Sequence, residues 1–329
     1  MVFSIIIPVY NAASYIERCL NSVYNQNIED NLFEVVIIDD GSPDNSTKIA
    51  ETITEGKTNV KIYSQENKGL GGARNTGIEK SMGTYLIFLD ADDYLEPNCL
   101  LKIYKKIRDE KFNNIDVFEM ACNLVTEENI IQTQFVPDHL EKIFNGMEYF
   151  LNVKTINSAC NKVYNKKSIS KLRFKERIYS EDSEFNTRAF FYFKNVCSID
   201  ILMANFVQTK GSITRNNDSK VKNKLLQDSL MILRSFKSFE KNNSAFSPLE
   251  IKYFEKKYTL STVNIFYLLW KYNIEASRAI SLKDDLKKEN LYCLSYSGLE
   301  TKRNYFRLFL DRGFLIYFFL LKTKNVLST

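Results

Sequence analysis

Three carboxylates follow one short apolar segment. Residues 85–89 are apolar and β-preferring, and Asp90, Asp92 and Asp93 come directly after them. A run of this length is typical of a strand that is buried on both faces. Ligands of open α/β sheets bind beyond the carboxyl ends of the strands, and closely spaced acids repel one another unless a cation neutralises them. The pattern therefore predicts a site for a hard divalent ion and a phosphate-bearing ligand. An acidic loop, or an N-cap for a helix near Pro97, is the alternative.

The same arrangement occurs earlier in the chain. The strand predicted over residues 34–38 runs into Asp39 and Asp40, and the strand predicted over residues 3–9 ends at Tyr10 and Asn11. Amphipathic helical patterns separate these strands from one another. Strands that alternate with helices predict an α/β fold with a mostly parallel sheet covered by helices on both sides.

A glycine-rich stretch, residues 67–77, opens a helix that we expect Gly83 to end. The sequence Gly69-Leu70-Gly71 begins like a dinucleotide-binding fingerprint, but Arg74 stands at the sixth position. The stretch also follows the third predicted strand, whereas the fingerprint follows the first. No Walker-type phosphate-binding loop occurs in the chain. The sequence thus excludes a P-loop NTPase and disfavours a Rossmann dinucleotide site.

The composition is that of an ordinary globular protein. With 45 basic and 40 acidic residues among 329, the net charge of +5 is too small to indicate nucleic acid as a partner. Six scattered cysteines without a C-x-x-C pair predict buried free thiols in a reducing compartment. The single histidine, His139, disfavours histidine-based metal or triad chemistry and is expected at the surface. We expect no signal peptide, and no 18-residue apolar run is present to span a bilayer.

The second half of the chain is patterned differently. From about Asp116 the sequence predicts short strands over 117–122, 130–136, 196–201 and 203–207, and a helix that starts near Asn145. A polar run from Asn216 marks a boundary, beyond which the pattern is helical. Near the end, residues 301–322 interleave basic residues with aromatics and leucines. This pattern suits a segment in a membrane interface and equally a terminal helix packed on the catalytic domain, so both interpretations stay open.

Five pieces of the sequence together resemble the family 2 glycosyltransferases, the inverting enzymes of the GT-A fold. They occur in the family's order and approximate spacing: Pro8 to Asn11, Asp39 to Ser42, Asn67 to Gly77, Asp90 to Asp93, and Glu181-Asp182. The resemblance covers residues 1 to about 215. It implies a GT-A nucleotide-diphospho-sugar transferase fold over residues 1–215, with a C-terminal helical region over residues 216–329.

The resemblance assigns a group of residues to the nucleotide-sugar donor. They are Pro8, Val9, Tyr10, Asn11, Asp40, Asn67, Lys68, Arg74, Asp90 and Ala91. In this assignment Asp40 accepts hydrogen bonds from the base or ribose, and Arg74 supplies a fixed cation near the diphosphate. Turn formation or helix capping by Asp39 and Asp40, and a plain surface charge at Arg74, are the alternatives.

The resemblance also implies the metal and the base. Asp90 and Asp92 form the metal-contacting pair, with Asp92 the direct ligand of manganese or magnesium, and Asp93 supports them or caps a helix. Asp182 matches the family's general base, while Glu181 orients the acceptor or shares that role. N-capping of a helix near Ser183 is the alternative for this acidic pair.

The function that follows from the resemblance is inverting sugar transfer. A sugar would move from a metal-bound nucleotide donor, with a UDP-sugar favoured, to a hydroxyl of a glycan or a lipid-linked acceptor. The setting implied is bacterial surface polysaccharide synthesis, such as capsule or lipopolysaccharide, in the cytoplasm or peripherally at the inner face of the cytoplasmic membrane. The alternatives are a nucleotidyltransferase, which would need a basic glycine-rich loop directly after the first strand, and a non-catalytic sugar-nucleotide-binding or scaffold protein.

Overall fold

A computed structural model describes residues 1–209, 212, 218–241, 246–314 and 316. The chain forms two compact units, Met1–Arg215 and Asn216–Thr329. The first two residues of the polar run at the predicted boundary, residues 216–217, and residues 317–322 of the basic-aromatic segment lie outside the described residues.

The first unit alternates strands and helices. Its strands are β1 (Phe3–Val9), β2 (Phe33–Asp39), β3 (Val60–Ser64), β4 (Tyr85–Phe88), β5 (Tyr94–Leu95), β6 (Val117–Val125), β7 (Ile131–Phe135), β8 (Ile143–Phe144), β9 (Lys162–Asn165) and β10 (Val196–Val207). Its helices are α1 (Ile16–Tyr24), α2 (Ser46–Thr54), α3 (Gly69–Lys80), α4 (Cys99–Ile107), α5 (Gly146–Asn152) and α6 (Glu181–Tyr192).

One sheet joins these strands in the order β3-β2-β1-β4-β9-β6-β10-β5, with β7 beside β6 and β8 beside β10. The four strands β3, β2, β1 and β4 are parallel, so their carboxyl ends meet at one edge. Beyond them β9 runs antiparallel to β4 and to β6, and β10 runs parallel to β6. The predicted α/β fold is confirmed, with four adjacent parallel strands in the first half of the unit.

Burial explains why these segments become strands. Every residue of β1 is buried, as are the first six residues of β2, because helices cover both faces of the parallel strands. On one face α1 contributes Ile16, Cys19, Leu20 and Val23 to the main core. At about 1.5–3 kcal/mol for each fully buried aliphatic side chain, this core is the main stabilising contribution of the unit. It therefore fixes the sheet edge at which the acids follow.

Two expectations about elements are wrong. The two strands predicted over 196–201 and 203–207 are one strand, β10, whose register against β6 shifts near Leu202. Gly83 does not end α3, because the helix stops at Lys80 and the Ser81 hydroxyl donates to the Gly77 carbonyl at 2.5 Å. Gly83 is needed for packing instead, since a Cβ there would lie 2.6 Å from the backbone of Phe3.

The second unit is helical in its described part. Its helices are α7 (Ser219–Lys241), α8 (Pro248–Lys271), α9 (Ala276–Lys288) and α10 (Thr301–Arg312). A capping box between Ser247 and Glu250 starts α8. Helix α10 packs on α8 through Phe306, whose ring centroid lies 6.0 Å from that of Tyr267. Among the helices of the described ranges, none combines the length and the apolar character needed to cross a bilayer.

Candidate active site

The predicted donor residues of the first strand lie at the edge of the sheet. Pro8 and Val9 are buried at the end of β1, whereas Tyr10 is 54% exposed. Asn11 adopts a left-handed backbone with a φ of 53°, and its N–H donates to the Ser42 hydroxyl at 2.7 Å. This contact ties the end of β1 to the loop after β2 and leaves the Tyr10 ring available at the surface.

Asp40 holds the loop after the third strand. Its carboxylate is 2% exposed, and Oδ1 accepts from the Gln65 side chain at 2.7 Å and from the Lys68 N–H at 2.9 Å. Asp40 Oδ2 has no hydrogen-bond partner within the described part of the chain. Asp39 does make the turn contact that the alternative interpretation predicts, because its Oδ1 accepts from the Ser42 N–H at 2.8 Å. Asp40 differs from Asp39 in being buried and in bonding to the loop after β3 rather than to its own turn.

The loop that carries Asn67 and Lys68 is fastened from its other side. Arg177 donates from its N–H to the Lys68 carbonyl at 3.0 Å and from its guanidinium to the Asn67 carbonyl at 3.1 Å. Gly69 follows with a φ of +74°, a conformation that favours glycine. The side chains of Asn67 and Lys68 stay exposed, so their backbone is fixed while their polar ends face solvent.

Arg74 lies at the centre of the acids. Its side chain is 1% exposed, and Nη1 contacts Glu181 Oε1 at 2.6 Å and Asp182 Oδ1 at 2.5 Å, while Nη2 contacts Asp90 Oδ1 at 2.8 Å. The guanidinium also lies 5.3 Å from the ring centroid of Phe174. The alternative interpretation of Arg74 as a surface charge is therefore wrong. One buried cation joins two stretches that are about one hundred residues apart in the chain, and the contact of Arg74 with a diphosphate stays a prediction.

Both members of the acidic pair lie in the first turn of α6. Ser180 precedes the helix with a left-handed φ of 60° and makes no side-chain cap. Asp182 Oδ2 accepts from the Ala159 N–H at 2.9 Å, and its Oδ1 is held by Arg74. Because both oxygens bond outside their own helix, the N-cap interpretation of Asp182 is wrong.

The three acids after β4 make different contacts. Asp90 faces Arg74, and Ala91 is buried beside it. Asp93 is buried, and its Oδ1 accepts from the Val207 N–H at 2.7 Å, which fastens the acidic turn to the end of β10. Asp92 has no cationic side chain within ion-pair distance in the described ranges. Asp92 and the second oxygen of Asp90 are therefore the oxygen atoms that a hard cation could use.

Three acids of the site, Asp92, Glu181 and Asp182, have a raised pKa. Burial, reinforced by Asp90, raises the pKa of Asp92 to about 6. Burial, reinforced by Asp182 and opposed by Arg74, raises the pKa of Glu181 to about 7. Burial likewise raises the pKa of Asp182, although Arg74 opposes the rise. A site in which one cation serves this many carboxylates is short of positive charge.

The sequence profile of glycosyl transferase family 2 matches residues 4–173, about half of the chain. The chain belongs to glycosyl transferase family 2. The predictions of this family and of the enzyme class, a glycosyltransferase, are confirmed.

Curated relatives of the family cover part of the chain. The glycosyltransferase GlyA of Streptococcus pneumoniae is 28% identical over 225 residues, which are 64% of this chain and 31% of GlyA. The chondroitin synthase of Escherichia coli is 39% identical over 127 residues, which are 39% of this chain and 17% of that protein. The chain therefore spans less than a third of the length of either relative.

Solved structures share the fold over more of the chain. Residues 1–349 of S. aureus TarS, crystallised in complex with UDP-GlcNAc, match with a TM-score of 0.59 at 21% identity, over 95% of this chain and 92% of that one. The mannosyltransferase PcManGT of Pyrobaculum calidifontis, in complex with GDP-Man and Mn²⁺, matches with a TM-score of 0.54 at 15% identity, over 99% of this chain and 87% of that one. The predicted GT-A-like fold is confirmed.

Two features around this family 2 site were missed from the sequence. Arg18 on α1 donates to the Asp92 carbonyl at 2.9 Å, and its guanidinium lies 4.9 Å from the ring centroid of Tyr94. These two contacts hold the backbone of the acidic turn, residues 90–93, against α1. Nothing in the helical pattern of α1 distinguishes Arg18 from a solvated charge. Glu119 and Lys162 form a fully buried ion pair. The sequence did contain a signal for this pair, because a charged residue in the middle of an apolar strand, such as Glu119, requires a buried partner.

Proposed function

We propose that this chain transfers a sugar from a nucleoside diphosphate donor to an acceptor hydroxyl with inversion at the anomeric carbon. The observation that carries the proposal is the sharing of Arg74, because Asp90 and Asp182 bind the two ends of one guanidinium. An inverting displacement needs the departing diphosphate on one face of the sugar and a base on the opposite face. Through Arg74 the proposed metal ligand Asp90 and the proposed base Asp182 lie at one site, as such a displacement requires.

Asp182 is the proposed general base. Its carboxylate is held at both oxygens, by Arg74 and by the Ala159 N–H, so its orientation is set before the acceptor arrives. The raised pKa of Asp182, caused by burial, makes it a stronger base than an exposed aspartate. Glu181, with its pKa near 7, would carry a proton part of the time at neutral pH and could donate a hydrogen bond to the acceptor.

The donor is proposed to lie along the edge of the parallel strands. Asp40 offers a free oxygen to a ribose hydroxyl or a base N–H, and the exposed Tyr10 ring offers a flat surface for the base. The exposed side chain of Lys68 could reach the diphosphate. UDP is favoured as the nucleotide because TarS is described with UDP-GlcNAc, and GDP is the alternative because PcManGT is described with GDP-Man.

A divalent ion fits the donor set at Asp92 and Asp90. Three or more His, Cys, Asp or Glu side chains arranged around one point do not occur within the described ranges. The ion would therefore depend on donor phosphates for its remaining ligands, as Mg²⁺ and Mn²⁺ do in nucleotide sites. When bound, the metal neutralises charge on the departing diphosphate. The raised pKa of Asp92 and the presence of Mn²⁺ in PcManGT support this assignment.

The proposed acceptor is a glycan or lipid-linked hydroxyl in bacterial surface polysaccharide synthesis, because the relatives include a chondroitin synthase of E. coli. Capsule and lipopolysaccharide are the two settings considered, on the cytoplasmic side of the membrane. A peripheral membrane contact through α10 is supported by its exposed Lys302, Arg303 and Tyr305, while Arg307 and Leu310 face inward. Liposome flotation of the full chain and of a chain ending at residue 300 tests this contact, and equal flotation of both contradicts it.

Donor turnover tests the proposed function without knowledge of the acceptor, because water can replace the hydroxyl. The full chain is incubated with UDP- and GDP-sugars and Mn²⁺, release of the nucleoside diphosphate is measured, and ¹H NMR follows the first anomer formed. We expect one donor to turn over with inversion and Asp182→Asn to lower the rate about 100-fold or more. A retained anomeric configuration, or full activity of Asp182→Asn, contradicts the mechanism.

A further inference from the structure

A buried ion pair lies in the sheet at a distance from the acids just described. Glu119 on β6 and Lys162 on β9 face each other across antiparallel strands. Both side chains are 0% exposed, and Lys162 Nζ lies 3.0 Å from Glu119 Oε1. Two charges removed from water are costly unless further hydrogen bonds satisfy them. The partners of this pair therefore indicate what it does.

Almost all of those partners belong to one segment, residues 155–161, which we call the 155–161 loop. Lys162 Nζ donates to the carbonyls of Ile156 and Ser158, both at 2.8 Å. Glu119 Oε1 accepts from the Thr155 hydroxyl at 2.9 Å, from the Ile156 N–H at 3.2 Å and from the Asn161 side chain at 3.1 Å. The other oxygen, Glu119 Oε2, accepts a hydrogen bond from outside the loop, from the Tyr149 hydroxyl at 2.7 Å. The pair supplies hydrogen bonds to a segment that has no regular secondary structure and is only partly buried.

The 155–161 loop also contacts the proposed base, Asp182. The Ala159 N–H donates to Asp182 Oδ2 at 2.9 Å, and the Ser158 carbonyl accepts from the Asn186 side chain at 3.4 Å. Ser158 is thus bonded both to Lys162 and to the helix that carries Asp182. A continuous chain of hydrogen bonds runs from the buried pair to the carboxylate.

We infer that Glu119 and Lys162 are positioning residues for Asp182. They fix the 155–161 loop so that the Ala159 N–H holds Oδ2 while Arg74 holds Oδ1. The inference rests on the proposed function, since it names what sets the proposed base. A displacement of about 1 Å at a catalytic group costs about 100-fold in rate, so loosening the loop lowers kcat while the donor edge of the sheet is untouched.

A double substitution separates positioning from simple stabilisation. Replacing a whole buried ion pair with apolar residues of similar volume often leaves stability unchanged, whereas removing one partner is strongly destabilising. Glu119→Leu with Lys162→Met therefore restores packing but removes every bond that the pair makes to the 155–161 loop. We expect a lower melting temperature, because the polar groups of the loop lose their partners. Well below that temperature, in the folded variant, we expect an unchanged Kd for the nucleotide with Mn²⁺ and a donor-turnover kcat lowered about 100-fold.

Two further variants keep the test decisive if the double variant does not fold. Ala159→Pro retains the ion pair and deletes the N–H that reaches Asp182, so kcat should fall with the donor KM unchanged. Glu34→Gln is the matched control, because Glu34 is another buried carboxylate that accepts from Ser4 at 2.6 Å and from the Gly83 N–H at 3.3 Å. Its kcat should equal that of wild type.

Each outcome bears on a distinct claim. Wild-type kcat in the folded double variant, or in Ala159→Pro, overturns the positioning role and leaves the proposed function standing. An equal fall of kcat in Glu34→Gln also overturns it, because any buried carboxylate would then matter as much. A wild-type chain that neither binds nucleotide nor turns over donor overturns the proposed function, and the inference with it.

Discussion

Replacing Arg74 with glutamine should destabilise the protein in a pH-dependent way. Arg74 is buried among Asp90, Glu181 and Asp182, with contacts of 2.5–2.8 Å to its terminal nitrogens. At an effective dielectric constant of about 20, unit charges about 4 Å apart attract by about 4 kcal/mol. Repulsion among the acids and the burial of the guanidinium offset much of this attraction, and deleting one partner of a buried pair costs about 3–5 kcal/mol.

We therefore expect Arg74→Gln to lose about 3–5 kcal/mol of unfolding free energy at pH 8. The loss should shrink at pH 5, because protonation of Glu181, whose pKa is raised to about 7, removes part of the negative charge that the arginine neutralises. Urea unfolding at both pH values, followed by circular dichroism, measures the difference.

Lys111→Gln is the control for this experiment. Lys111 Nζ lies 3.1 Å from Glu141 in an exposed ion pair, and exposed pairs contribute about 0–1 kcal/mol. Equal losses in Arg74→Gln and Lys111→Gln, or a loss in Arg74→Gln that is the same at pH 5 and pH 8, would refute the reasoning about the buried cluster.

Two further predictions concern the same site. Lowering the pH from about 8 to about 5 should raise the melting temperature of the metal-free protein, because the folded pKa values of Glu181 and Asp92, about 7 and about 6, lie above their unfolded values and the folded state takes up protons first. Differential scanning calorimetry measures this rise, Mn²⁺ should reduce it by competing with the protons, and a melting temperature that falls over this range contradicts the charge deficit. Gly71→Ala should lower the melting temperature, because the added Cβ would lie 2.2 Å from the Lys175 carbonyl oxygen, and an overpacked contact costs about 1–3 kcal/mol. An unchanged melting temperature would contradict this prediction, because it would mean that the backbone at Lys175 moves away from the added Cβ without loss of unfolding free energy.

The sequence was most informative where one local pattern decides the structure. The apolar run of β1 and the acids after β4 predicted both the parallel strands and the edge at which the acids meet. The acids were predicted to need a cation, but Arg74 was expected at the diphosphate. Its burial depends on α6, which begins about one hundred residues later, and no local pattern encodes such a contact.

Interactions between distant segments account for the rest. Asp182 was predicted as the base with N-capping as its alternative, and only the positions of Arg74 and the Ala159 N–H exclude the cap. The register shift in β10 arises from pairing with β6 over its whole length. Residue periodicity alone divides such a bulged strand into two pieces.

Calorimetric titration of nucleotides tests the central claim most directly. UDP and GDP are titrated into the full chain with and without Mn²⁺, and into Asp92→Asn and Asp182→Asn. We predict that one nucleotide binds wild type only when the metal is present, that Asp92→Asn loses this binding, and that Asp182→Asn keeps it. Absence of nucleotide binding to wild type with either Mn²⁺ or Mg²⁺, or equal binding by Asp92→Asn, would contradict a metal-dependent donor site at the end of β4.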